Sequence, residues 1–443
     1  MFRTLFLLLL LSAASTGVAL AHGINGHVWV SDEGIDHVHS CDLHAWLDSE
    51  EMRNILQIGA AFPDTGYATA EGRAYGETAH WEPFVQAAIE VIRSHYGPPY
   101  TSPESRQFIA YVMGIAAHGM QDEVFDTLFL RKTLEAEGTD QDLIDPGIEF
   151  IFLEDGHSEL RPDIFLPETD LLRVYQHPDV NLDVDPTAMH TGMLLVRHGV
   201  IGLQNAREQL HTESWRERLP WSQHHYMDPQ VPGSYGFEIP VMGPYYDALW
   251  HRLHDAFRLD DVVIATVPGE SERLLSNDST SVDSWVTLIF GYGVYRDSMT
   301  ADNVRLVDAD GAPVPIDIAG TRWGSSNSAG RLVQLQPQVD LEPDREYTAI
   351  LGPGLRLIDG SIVEEEIRYR FLSACGVPHS CSAPPAPEPR AFCEPVAQEH
   401  IPAYTTLPPP EAGGCSSTRG HLPAAGLMLA LALLWTRIRA RAA

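Results

Sequence analysis

The chain is organised around one stretch rich in apolar positions, from Ser102 to Lys132. Ser102 offers an N-cap oxygen and Pro103 a first helical residue, so a helix starts cleanly there. Phe108, Ile109, Val112, Met113, Ile115 and Ala116 make it apolar on almost every side, which predicts burial. His118, Asp122 and Asp126 then recur at intervals of four, which places them on one face, each about 6 Å from the next along the axis. Two carboxylates and an imidazole on a buried face are costly unless a cation compensates them. Imidazole nitrogen and carboxylate oxygen are ordinary zinc ligands, so a metal ion meets that need. A polar face hydrogen-bonded to a second helix is the alternative.

The flanking pattern predicts further helices. His80, in ETAHWEPF, leads an amphipathic run through Phe84, Ala87, Ala88, Val91 and Ile92. Asn25 and Gly26 predict a turn next to His27, and Pro63 and Gly66 predict a loop that exposes Asp64. Asp145 and Glu149 stand four apart in LIDPGIEFIF, with Pro146 predicted as a first helical residue and Asp145 equally suited to be its N-cap. Met189–Leu203 and Met242–Phe257 read as amphipathic helices. Tyr235, Phe237, Tyr245, Tyr246 and Trp250 read as core, and His190, His198, His224, His225, His251 and His254 as structural or surface residues. From about Asp260 the texture turns to β. Val262–Ile264, Trp285–Phe290 and Val333–Leu335 are short strand-like runs separated by Gly and Asp turns, the pattern of a small β-sandwich. Asp308 and Asp310 in VDADG would suit calcium, but a type I′ hairpin turn accounts for the Asp-Gly pair.

Composition sharpens this outline. The 443 residues suffice for two or more domains. Lys plus Arg number 29 against 61 Asp plus Glu, a formal charge of −32, so no nucleic-acid partner is expected. Such acidity suits a secreted protein or a binder of divalent cations. Arg3, the apolar run Leu5–Leu11 and Ala19-Leu20-Ala21 read as a signal peptide over 1–21. Export follows, to the cell surface, outer membrane or medium, with His22 as a new N-terminus bearing a free α-amino group. In that oxidising setting a disulfide is expected among Cys375, Cys381 and Cys393. Residues 375–414 read as a Pro- and Cys-rich stalk. Residues 415–443 place Cys415 before an apolar run, Leu422–Trp435, closed by Arg437, Arg439 and Arg441. That run is shorter than the ~20 residues of a full membrane span, though a tail anchor with its basic end inside is the alternative.

Taken in order, GINGHVW, FPD, HWEPF and GIAAHGMQD resemble the zinc-dependent phospholipase C family, which includes the N-terminal domain of GPI-specific phospholipase D and, more distantly, fungal single-strand nucleases. The resemblance covers about His22 to Phe152. It implies a multidomain chain with an all-α helical bundle over 22–259 that holds three zinc ions in a cleft. Asp64, His80, His118 and Asp122 match the ligands of one Zn2+, and His22, His27 and Asp122 those of a second. At the third, Asp126, Asp145 and Glu149 stand where the family usually has two histidines and one acid. An all-oxygen site of that kind leans toward calcium, magnesium or manganese. Residues 260–374 resemble bacterial Ig-like domains through ATVPGE, MTADNVRLVDADGAPV and LEPDREYTAILGPGLRLIDG, which implies a spacer or adhesive module. Residues 415–443 resemble the myxobacterial C-terminal sorting signal, which implies a processing protease as partner.

The function implied is metal-assisted hydrolysis of a phospholipid phosphodiester at a membrane surface, of phospholipase C type. In such chemistry adjacent cations acidify a water toward a pKa of ~7 and clamp the phosphate oxygens. Asp64 is the expected ligand and general base. The alternatives are a metal-binding surface adhesin, which the departures at Asp126 and Asp145 would favour, and a nuclease of the related fold, which the net charge disfavours.

Overall fold

In a computed structural model, which describes residues 23–138, 141–157, 164–206, 210, 212–320 and 329–376, the apolar stretch after Ser102 is a helix, Pro103–Val124, buried along most of its length. The Ser102 hydroxyl accepts a hydrogen bond from the Ser105 N–H at 3.1 Å, which satisfies one of the orphan donors of the first turn. In chain order the principal helices are α1 (Ile24–Glu33), α2 (Glu50–Thr65), α3 (Arg73–Ala79), α4 (Glu82–His95), α5 (Pro103–Val124), α6 (Gln141–Glu154), α7 (Pro186–Ala206) and α8 (Tyr235–Leu253). They share one apolar core.

The contact that matters most for the site is α2 on α5. A Cβ on Gly59 would lie 2.1 Å from the Tyr111 carbonyl oxygen, and one on Gly114 would lie 2.1 Å from that of Leu56. No side chain fits at either position, so the two backbones touch. Polar groups near the ends of both helices are thereby drawn within bonding distance of each other.

Local expectations fail at three places, each for a reason of backbone chemistry. Asn25 and Gly26 are helical rather than a turn, because α1 already starts at Ile24. Asp64 is in the last turn of α2, not in a loop, and is only 4% exposed. Pro63 there forfeits one N–H at the end of a helix whose apolar face is already buried, a loss the packing tolerates. Pro146 likewise lies inside α6, which begins at Gln141, so Asp145 is a helical residue and not an N-cap. Beyond α5 the chain forms a π-helical turn, Phe125–Phe129, before continuing as the helix Leu130–Glu137. Asp126 falls within this wider turn, four residues after Asp122.

The β region forms two antiparallel four-stranded sheets. Its strands are β1 (Val263–Val267), β2 (Val286–Tyr295), β3 (Val304–Asp308), β4 (Pro313–Val314), β5 (Ile316–Gly320), β6 (Ala329–Pro337), β7 (Glu346–Leu351) and β8 (Ile367–Leu372). One sheet has the order β1-β2-β6-β5 and the other β4-β3-β7-β8. Leu288, Phe290, Val333 and Leu335 of the first sheet share a core with Leu306, Ala349 and Phe371 of the second. Ile289 and Leu332 instead join the helical core. β2 is buried along nearly its whole length and reads as a near-continuous apolar run, whereas β6 buries Arg331 and Gln334 among its apolar residues. The Asp308 hairpin departs from the expected type I′ turn. Leu306 pairs with Val314, only Gly311 takes a positive φ (80°), and the Asp308 carboxylate accepts from the N–H groups of Asp310 and Ala312. That carboxylate closes its own loop.

His22, Cys381, Cys393 and the segment 415–443 lie outside the described residues, so the expected N-terminal ligand, disulfide and sorting signal do too. Among the described residues no helix is long and apolar enough to cross a membrane.

Candidate metal centre

Four segments meet where α2 crosses α5. His27 comes from α1, Asp64 from the last turn of α2, His80 from the C-terminus of α3, and His118 and Asp122 from α5, and all five are buried. Their ligand atoms converge as two groups, His80–His118–Asp122 and His27–Asp64–His118.

The orientation of the rings is set from behind. His80 Nδ1 donates to the Gly76 carbonyl at 2.7 Å and His118 Nδ1 to the Ala60 carbonyl at 2.7 Å. Gln121 donates through Nε2 to Ser31 Oγ, so its oxygen is the atom that accepts from His27 Nδ1 at 3.0 Å. With every Nδ1–H turned outward, three Nε2 lone pairs face inward, the arrangement that acceptors behind the ring impose on metal-binding imidazoles.

Inside, acceptor faces acceptor. His80 Nε2 and His118 Nε2 are 3.0 Å apart. Asp64 Oδ1 lies 3.6 Å from the former and 3.8 Å from the latter. Asp122 Oδ2 is 3.5 Å from both nitrogens, while its Oδ1 is 3.2 Å from His27 Nε2. Ligands at the ~2.0–2.1 Å of zinc stand about 3.3 Å from one another in a tetrahedron. Five edges of such a tetrahedron are therefore present, at 3.0 to 3.8 Å. Neither oxygen of Asp64 accepts a hydrogen bond, although both are buried. A single proton between the two imidazoles would leave them so. A divalent cation satisfies the nitrogens and the carboxylates together, and these residues fit one. Asp122, with one oxygen toward each group, is the bridge between the two.

Burial opposes protonation of His80, yet the carboxylates of Asp64 and Asp122 prevail and hold its pKa above the ordinary value. Proton and metal compete for the same lone pair.

The remaining acidic residues assemble differently from expectation. Asp126, Asp145 and Glu149 are in neither group of converging ligand atoms. Asp145 and Glu149 are buried on α6, where Glu149 Oε1 accepts from the Asn25 backbone and side-chain N–H groups. Burial raises the Glu149 pKa, and those Asn25 donors only partly oppose it. A further carboxylate, Glu238 of α8, was not apparent from the sequence. It is fully buried, and burial together with the charges of Asp122 and Asp126 pushes its pKa well up. Tyr235 stands among Glu149, Glu238 and Asp145, whose charges add to its own burial in raising its pKa. Gln121, next to Asp122 in sequence, and the carbonyls of Ala60 and Gly76 also went unseen. Backbone acceptors carry no side-chain signal.

No family model matches the chain. A stretch of 108 residues is 26% identical to phosphatidylinositol-glycan-specific phospholipase D of Bos taurus, covering 23% of this chain and 12% of that protein. The Mus musculus protein of the same name is 27% identical over 138 residues, 29% of this chain and 16% of that one. That of Dictyostelium discoideum is 32% identical over 72 residues, 16% and 8%. The chain thus carries a phospholipase-like stretch and spans less than a fifth of the length of these relatives. Among solved structures, the S-layer protein SbsC aligns over 74% of this chain and 46% of its own at 9% identity, with a TM-score of 0.22. Its N-terminal part aligns over 74% and 79% at 10% identity and a TM-score of 0.20. Scores that low carry no argument.

Proposed function

We propose that the chain is an exported phosphodiesterase that hydrolyses phospholipids, of phospholipase C type, with zinc bound by His27, Asp64, His80, His118 and Asp122. His22, through its freed α-amino group, is proposed as a further ligand on the His27 side. The observation that carries this reading is the inward-facing set of acceptors, with two Nε2 atoms 3.0 Å apart and an undonated Asp64 carboxylate between the helices. The similarity to phosphatidylinositol-glycan-specific phospholipase D supplies the substrate class.

Zinc held there would supply positive charge to the non-bridging phosphate oxygens and acidify a water. The protein's own part is orientation and proton transfer. Gly76, Ala60 and Gln121 hold the three imidazoles in the one tautomer that leaves Nε2 unprotonated. Asp64 takes a proton from the water whose oxygen bonds to phosphorus, and gives it to the alkoxide oxygen released as the opposite P–O ester bond breaks, so that an alcohol and a phosphomonoester result. The buried Asp145, Glu149 and Glu238, with Asp126, are proposed as an oxygen-rich third site suited to a harder divalent ion. The β region is proposed to be an Ig-like module, and 415–443 a sorting signal that retains the enzyme at the cell surface.

The test is elemental analysis of the processed protein together with hydrolysis of a chromogenic phosphocholine ester and of phosphatidylcholine vesicles. At least two zinc per chain, metal-dependent hydrolysis and diacylglycerol as product are expected. Less than one zinc per chain refutes the metal reading. Phosphatidic acid as product refutes the C-type assignment alone.

A further inference from the structure

The β region does more than follow the helices. Ile289 of β2 pairs with Leu332 of β6, and the next pair is Val294 with Gly330. Four residues of β2, Phe290 to Gly293, therefore stand against the single residue Arg331. Bulges of this kind re-aim a side chain, and Arg331 leaves its sheet for the helical core, where it is 0% exposed. Its Nη2 donates to the backbone carbonyl of His80 at 3.2 Å and its Nη1 to that of Ala116 at 3.3 Å. Nη1 also donates to the Tyr245 hydroxyl at 2.9 Å, and Nε to Glu123 Oε1 at 2.9 Å. Glu123 adjoins Asp122, Ala116 is two residues before His118, and His80 is itself in the cluster.

One guanidinium thus ties together the two backbones that carry His80, His118 and Asp122. They already touch, since a Cβ on Gly119 would lie 2.0 Å from the His80 carbonyl and 2.8 Å from Arg331 Nη2. A buried cation persists only among compensating charges. Here Glu123 pairs with Arg331 at 2.8 Å, and Glu82 lies 3.6 Å from Arg331 and 2.7 Å from Arg252. Two acids balance two bases, so the network needs no metal for its own neutrality. The rigid planar fork of Arg331 reaches four acceptors that a lysine ammonium, a point charge, does not reach in the same geometry.

We propose that Arg331 is a positioning residue of the metal centre, supplied by the β region, and that it sets the separation of His80 from His118 and Asp122. This rests on the metal reading above. The probe is Co2+, added to the metal-free full chain and followed by its visible absorption and by chelator competition. The variants are Arg331→Lys and the paired Arg331→Met with Glu123→Gln, which removes both charges and strands neither. Lys132→Ala, which breaks the outer Lys132–Asp283 ion pair between helix and β region, is the control. Both Arg331 variants are expected to hold cobalt about ten- to a hundredfold more weakly, as loss of a group that orients a metal ligand does, and to shift its absorption band. The control should match the wild type. A folded Arg331 variant with wild-type affinity and an unmoved band overturns the proposal, as does failure of both variants to fold, which would make Arg331 scaffold alone. If the wild type takes up no cobalt, the metal reading fails by itself. Positioning is then read from the His80 imidazole 15N resonances of the metal-free chain: displacement in Arg331→Lys upholds it, and identity with wild type overturns it.

Discussion

Asp122→Asn should be far more damaging than Asp126→Asn, although the two acids lie four residues apart in one stretch of sequence. Asp122 presents Oδ1 to His27 at 3.2 Å and Oδ2 to His80 and His118 at 3.5 Å, so its charge serves both ligand groups. At an effective dielectric of about 20, one unit charge acting across about 4 Å is worth about 4 kcal/mol. That corresponds to roughly three orders of magnitude in affinity. An amide oxygen can still coordinate, which recovers part of this, and a loss of about a hundred- to a thousandfold is expected. Asp126 is half-buried in the π-helical turn, outside both groups, and its replacement should change zinc affinity by no more than about threefold. Bound zinc after gel filtration, chelator competition and the rate on a chromogenic phosphocholine ester would be measured side by side. If Asp126→Asn proves as depleted and as inactive as Asp122→Asn, the third site is integral and this argument is wrong.

Other consequences follow from packing, protonation and processing. Gly114→Ala should destabilise the fold by about 1–3 kcal/mol through overpacking, since the new methyl lands 2.1 Å from the Leu56 carbonyl, and a melting temperature equal to wild type would contradict the backbone contact. The raised pKa of His80 stabilises the metal-free fold below the ordinary histidine value near 6.5, and that contribution fades as pH climbs through the raised value. Because metal displaces that proton, the gap in melting temperature between zinc-loaded and EDTA-treated protein should widen from pH 6 to pH 8, and a constant or narrowing gap would count against His80 as a ligand. If the α-amino group of His22 is a ligand, one extra Met in front of it should lower zinc content, and an extended protein with unchanged metal and activity would rule that role out.

Much of this protein can be read from sequence because the determinants are local. A Ser-Pro start and an unbroken apolar run predict the α5 helix, and a spacing of four places His118 and Asp122 on one side of it whatever else the chain does. Ordered motifs carried His27, Asp64 and His80 to the same place, where the structure brings their ligand atoms together. Register is more fragile. Asp126 falls in a π turn that no local pattern announces, and Pro63 and Pro146 sit inside helices because tertiary burial outweighs a lost N–H. The tautomers of the three histidines depend on the Gly76 and Ala60 carbonyls and on Gln121, two of which are backbone atoms with no signature in sequence. Glu238 and Arg331 lie 116 and 209 residues beyond Asp122, as their numbers show, the one within an aromatic cluster that reads as core and the other just before the strand-like run Val333–Leu335. The bulge between β2 and β6 brings in Arg331, the packing of α8 brings in Glu238, and the glycine-lined meeting of α2 with α5 brings Asp64 to His118. Ligand identity is a property of residue types at a spacing. The charge balance and support around those ligands belong to contacts across the whole chain, which no local pattern encodes.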